Sequence, residues 1–279
     1  MAYKNFIPEV WAEAINRELE RLHVFASNCN RQYEGEVKKM GDSVRILGVG
    51  RPTITEVMRD NFTTLTAPET VEDTSQIMYI DHMAYFNYKV DDIDKRQAVG
   101  GLMEALSAET SEGLADVQDR AIANLAADNL AVKDATTTYQ LTPNNILEKL
   151  LIAHQLLMEK DVPMSTKVTV TLAPWAATMY KQAMAAIDTD NSALLKNGLI
   201  GQFDGMDIKV SNNCYKDANN NYGFMVRTDR AIAFARPMIH TEPYRPELDF
   251  SDAVKGFILY GTKIVRPKEM IVMNCKATA

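Results

Sequence analysis

The sequence predicts an α+β fold, and three observations carry the prediction. Ser43–Val49, Thr74–Ile80 and Met83–Val90 are β-branched or aromatic runs bounded by turn residues. A long helical pattern occupies Ile93 to Leu130. Beyond it, helices and strands follow one another without the strict alternation that a doubly wound parallel sheet requires.

Taken in order, the chain opens on an amphipathic helix. Asn5 can cap it, Pro8 suits its first turn, and Trp11, Ile15, Leu19 and Leu22 recur at helical spacing opposite Glu13, Arg17, Glu20 and Arg21. It reads as an ordinary helix on its own core or as an arm that lies on another surface. The strands Ser43–Val49 and Thr74–Ile80 flank a threonine-rich stretch, Arg51 to Asp73, whose large apolar residues are few: Ile54, Val57, Met58, Phe62, Leu65 and Val71. Two strands cannot bury a hydrophobic face by themselves, so this excursion must lean on its own domain or on a neighbouring chain.

The helical segment Ile93–Leu130 shows a stripe at Val99, Met103, Leu106, Thr110, Leu114, Val117, Ala121 and Leu125. Unbroken, it would run on the order of 55 Å, long for a compact domain and suited to a strut. Gly100, Gly101 and Gly113 mark points where it can bend. Asp91, Asp92 and Asp94 stand ahead of it, where carboxylates favour a helix start. The second half reads as a helix at Leu147–Glu159, a strand at Lys167–Leu172 and a helix from Pro174 to about Ile187. Strands follow at Met206–Ser211, Tyr222–Arg227, Ala231–Ala235, Gly256–Arg266 and Met270–Asn274, with a hairpin tip at Asp217–Asn221.

Composition bounds the function. Hydrophobic residues are 46% and charged residues 24% of 279, the balance of a folded chain, and no run approaches the roughly 20 apolar residues of a membrane helix. The net charge is −7, and Thr66–Asp94, with seven acids and one base, carries −6 of it. No basic stripe with interleaved aromatics suits a nucleic-acid backbone. Cys29, Cys214 and Cys275 are widely spaced and odd in number, which predicts free thiols in a reducing compartment.

Catalytic patterns find no footing. Gly48-Val49-Gly50 lacks a third glycine and leads into Arg51-Pro52, not a helix, so the dinucleotide reading fails. His23, His82, His154 and His240 are scattered, and Asp81-His82 are adjacent on a strand and point to opposite faces. The expectation is no catalytic residue, no cofactor and no metal. A nucleotide- or metal-dependent enzyme is the rival from another class.

Four segments, in order, resemble the major capsid proteins of tailed bacteriophages. They are Ile7–Trp11 (IPEVW) with Asn30–Glu36 (NRQYEGE) and Gly41–Ile46 (GDSVRI); Val168–Trp175 (VTVTLAPW); Gly201–Asn213 (GQFDGMDIKVSNN); and Phe250–Gly256 (FSDAVKG) with Tyr260–Pro267 (YGTKIVRP). The resemblance implies the Hong Kong ninety-seven capsid fold. It implies an amino-terminal arm at 1–32, an extended loop at 33–80, a peripheral domain with a spine helix at 81–140 and 236–279, and an axial domain at 141–235. It further implies hexameric and pentameric capsomers, a shell around double-stranded DNA bound without sequence specificity, a portal, a possible cement protein, and assembly in the host cytoplasm into a virion. Because the chain starts at the arm, the scaffold is expected to be a separate protein. The lysine–asparagine crosslink of some members finds no matching positions here. Trp11, Arg51, Arg59, Glu69, Glu72 and Asp73 are the candidate contacts between subunits. An encapsulin-like compartment shell, which shares the fold, is the alternative.

Overall fold

The computed structural model describes residues 18, 22–34, 43–49, 73–91, 102–135, 137–163, 165–186, 201–246 and 251–277. The first strands appear where the β-branched runs place them: β1 (Ser43–Val49), β2 (Asp73–Tyr79) and β3 (His82–Asp91). β1 and β2 are antiparallel from Ser43 opposite Tyr79 to Val49 opposite Asp73. Asp91 closes β3 opposite Ser251, so it is a strand residue and not a helix cap.

Residues 93–101 lie outside the described residues; from Leu102 onward the helix forms but stops short of the predicted Leu130. α1 (Leu102–Asn124) has 23 residues and ends in a 3₁₀ turn, Leu125–Ala127. At 1.5 Å per residue this is about 35 Å. Its buried face is also one step away from the predicted stripe. Ser111, Leu114, Ala115, Gln118, Asp119, Ile122, Ala123 and Ala126 are buried, whereas Val117 is exposed. Three polar residues on the inner face hid its phase from a reading of apolar spacing.

The remaining elements are β4 (Val132–Lys133), β5 (Tyr139–Leu141), α2 (Ile146–Met158), β6 (Val168–Leu172), α3 (Pro174–Ala186), β7 (Gln202–Phe203), β8 (Met206–Val210), β9 (Tyr215–Lys216), β10 (Asn221–Thr228), β11 (Ile232–Tyr244), β12 (Ser251–Ile264) and β13 (Met270–Ala277). Among the described residues they form a mixed sheet in the order β4-β13-β10-β6-β8-β7, with β5 on β13 and β9 on β10. A second sheet runs β11-β12-β3. All five residues of β6 are buried, because this strand has a neighbour on each side and side chains covering each face. Ile146, Leu150, Ala153 and Leu157 give α2 one buried stripe. Trp175 on α3 meets Tyr222 and Phe224 of β10 at ring-centroid distances of 5.3 and 5.6 Å.

α1 joins the two sheets. Leu114 and Ala115 pack with Ile258 against the three-stranded sheet, while Ile122, Ala123 and Ala126 enter the large core. The base of the β1–β2 hairpin has its own seat: Val44, Ile46, Met78 and Ile80 cluster with Ala233, Ala235 and Leu259. The hairpin therefore leans on its own protomer at this end. The approach is close enough that a Cβ on Gly261 would lie 2.4 Å from the Tyr79 carbonyl oxygen.

Candidate assembly surfaces

The segment that leads into the body from the amino terminus is held by two buried charges from opposite directions. Asp119, on the inner face of α1, accepts from the Val24 N–H at 2.7 Å, the Phe25 N–H at 3.2 Å and the Ala26 N–H at 3.1 Å. It also accepts from His23 Nδ1 at 3.2 Å. The carboxylate thus caps the 3₁₀ turn Ala26–Asn28 from outside its own sequence. Burial pushes the Asp119 carboxyl up, but the bonds from His23, Val24 and Ala26 outweigh it and hold the group below the ordinary aspartate value. From the other side Arg227, the largest fully buried side chain, donates to the carbonyls of Asn28 and of Phe25, the latter at 2.8 Å. Asn30 then bridges to β11, its N–H donating to Ile232 O at 2.8 Å and its carbonyl accepting from Phe234 N–H at 3.0 Å. These bonds fix His23–Asn30 against the body.

A second surface lies on the outward face of β3 and its partners. Met83 and Tyr85 are 47% and 75% exposed, and Tyr79 nearby is 57% exposed. Around them stands a polar lattice. Tyr244 Oη donates to Asn87 Oδ1 at 3.0 Å, Lys255 pairs with Glu242 at 3.2 Å, and the Lys255 ammonium lies 5.1 Å from the Tyr244 ring centre. Aromatic residues framed by satisfied polar groups suit a protein–protein contact.

Of the predicted contact residues, Trp11, Arg51, Arg59, Glu69 and Glu72 lie outside the described residues, as does the helix from Asn5 except Glu18 and Leu22; Asp73 opens β2 opposite Val49. The Asp119–Arg227 clamp escaped the sequence reading because its partners are 93 to 202 positions apart. Its one local signal is the phase of α1, which puts an aspartate on the buried face. The histidines have separate structural tasks. His23 binds Asp119, His154 Nδ1 meets Asp204 at 2.7 Å, His82 stacks on Tyr260 at 5.3 Å and His240 lies beside Phe257 at 5.6 Å. The three cysteines are free and buried.

The sequence matches no protein-family model and no curated protein. Solved structures do match. One from Mycobacterium phage Che8 is 28% identical, with a TM-score of 0.74 over 90% of both chains. The capsid of cyanophage P-SCSP1u is 15% identical, with a TM-score of 0.64 over 92% of this chain and 87% of that one. The chain has the Hong Kong ninety-seven type fold of phage capsid structures. A virus-like particle from Pyrococcus furiosus is also similar, at 12% identity and a TM-score of 0.60 over 95% of this chain and 98% of that one; at that identity the likeness is one of fold. Within this fold one surface anchors Val24–Asn30 to the body, and the other is an exposed aromatic face beside a hairpin rooted in it.

Proposed function

We propose that this chain is the major subunit of a tailed-phage shell, assembling with copies of itself into hexameric and pentameric capsomers around double-stranded DNA. The observation that carries the reading is the 28% identity to the Mycobacterium phage Che8 structure across 90% of both chains. The arm at 1–32 and the loop at 33–80 reach neighbouring subunits, with Trp11, Arg51, Arg59, Glu69, Glu72 and Asp73 as their contacts. The segments 81–140 and 236–279 form the peripheral body, and 141–235 forms the axial one. β13 stitches the two together, since it belongs to the last segment yet lies between β4 and β10. A separate scaffold, a portal and a cement protein complete the assembly.

The rooted hairpin and clamped arm support this division. Each has a fixed end in its own protomer, which sets the direction in which the rest of the segment travels. Sedimentation velocity over a concentration series, with and without scaffold, tests the reading: capsomers or shells are expected, and a monomer under every condition contradicts it. The compartment shell is the second reading, favoured only by the 12% likeness to the Pyrococcus furiosus particle. An enzyme copurifying inside purified particles would select it, and packaged DNA would reject it.

A further inference from the structure

A small cavity in the body is rich in basic side chains. It has a volume of about 320 Å³ and sits between the end of α2 and the 3₁₀ turn Pro267–Glu269, lined by Lys160, Asp161, Val162, Arg266, Pro267, Lys268 and Glu269. Its chemistry is unbalanced. Lys160 Nζ is out of contact with solvent and meets no hydrogen-bond acceptor among the described residues. Glu269 gives Lys160 Nζ no hydrogen bond, and its carboxylate is turned to other partners. Oε1 accepts from Arg266 at 2.9 Å, and Oε2 accepts from Thr228 at 2.5 Å and lies 3.5 Å from Arg230 Nε. Asp161 is exposed and gives Lys160 Nζ no hydrogen bond.

Desolvating an ammonium without a counter-charge is unfavourable, and the partial negative end of α2 offsets only part of that cost. Burial first, and then the nearby Lys268, hold Lys160 below the ordinary lysine value. An anion seated between these groups would relieve both effects. A lysine ammonium offers three rotatable donors and an arginine a planar fork, a combination that suits a tetrahedral oxyanion.

We propose that this cavity binds a phosphate-type oxyanion, held by Lys160, Arg266 and Lys268. The site rests on the geometry of one protomer and does not depend on the shell reading. The phosphate comes either free from solution or as a phosphodiester of nucleic acid.

The test is thermal melting of the purified protein in chloride and in inorganic phosphate at matched pH and ionic strength. A parallel arm replaces phosphate with a short DNA duplex. A saturable rise in Tm of several degrees is expected for the wild type, and its loss in the Lys160→Met, Lys268→Gln double variant. Lys160→Met alone is expected to melt no lower than wild type in chloride, since it removes an unpartnered buried charge; this separates loss of the site from loss of the fold. A rise with phosphate alone identifies a free anion, and a rise with the duplex that the double variant abolishes identifies a phosphodiester. No saturable rise in either arm, or an equal rise in the double variant, overturns the proposal.

Discussion

Replacing Asp119 with asparagine keeps the side-chain volume and changes only what the arm root can bond to. In the wild type two N–H groups, of Val24 and Phe25, converge on Oδ2, while Ala26 N–H and His23 share Oδ1. An amide supplies one acceptor oxygen and one NH₂ group, so one of these pairs must face a donor. Asp119 and His23 are 3% and 6% exposed, so water has little access to repair the loss. A hydrogen bond to a charged group contributes about 1.5–3 kcal/mol, and a buried donor left unmade costs about 1–3 kcal/mol. Two broken bonds, with some relaxation of the turn, give an expected destabilisation of roughly 3 kcal/mol. Against a total stability of about 5–15 kcal/mol this is a large fraction.

The same carboxylate sets a pH dependence. Its folded-state pKa lies below the unfolded value of about 3.9. Its contribution is therefore fully present above that pH and disappears as pH falls through the lower, folded-state value. The gap between wild type and Asp119→Asn is accordingly expected to be constant from pH 7 to 5 and to narrow below about pH 4. Urea unfolding of the two proteins at pH 7, 5 and 3.5 measures it, and limited proteolysis reports whether the segment before Val24 has come free. A difference under about 1 kcal/mol at pH 7 would refute the clamp, because no reading of bonds to a charged acceptor makes them so weak.

Three further outcomes follow from the packing. Joining Val49 to Asp73 through an Asn-Gly turn keeps Val44, Ile46, Met78 and Ile80 in their seat, so cooperative melting by circular dichroism is expected to survive while shell closure fails; Met78→Ala, by contrast, is expected to cost about 2–5 kcal/mol, and the reverse pattern would place the hairpin's role wrongly. Gly261→Ala sets a Cβ 2.4 Å from Tyr79 O and 2.7 Å from Ile80 Cδ1, so a loss of at least about 1–3 kcal/mol is expected, and a Tm equal to wild type would contradict the close approach. Burial pushes the Cys214 thiol up to about 12 and raises Cys29 and Cys275 as well, so maleimide labelling at pH 8 is expected to be negligible until denaturant is added, with no thiol-sensitive ladder on a gel.

The sequence was most legible where a period or a turn signal is local. Ser43–Val49 forms the strand its alternation predicts, and Val168–Leu172 followed by Pro174 gives a strand running into a helix. Asp217 closes the hairpin tip by accepting from the N–H groups of Asn219 and Asn221, as a side chain of that type does in a turn. The sequence predicts β11 only as far as Ala235, before Arg236-Pro237, but the strand continues to Tyr244 through a register shift between Ala235 and Met238. A bulge is where a strand tolerates proline, and nothing local distinguishes that from a strand end. The order β13-β10-β6-β8 was illegible because it is set by pairing across distant segments. The arm-root clamp was hidden in the same way, with Asp119 and Arg227 each bonding residues at least 93 positions away.

Electron micrographs of the purified protein at high concentration, with and without the proposed scaffold, test the shell assembly most directly. Closed shells of uniform diameter are expected, built from capsomers in which each hairpin reaches beyond its own subunit. Discrete monomers at every concentration and salt condition, with cooperative melting intact, would contradict it.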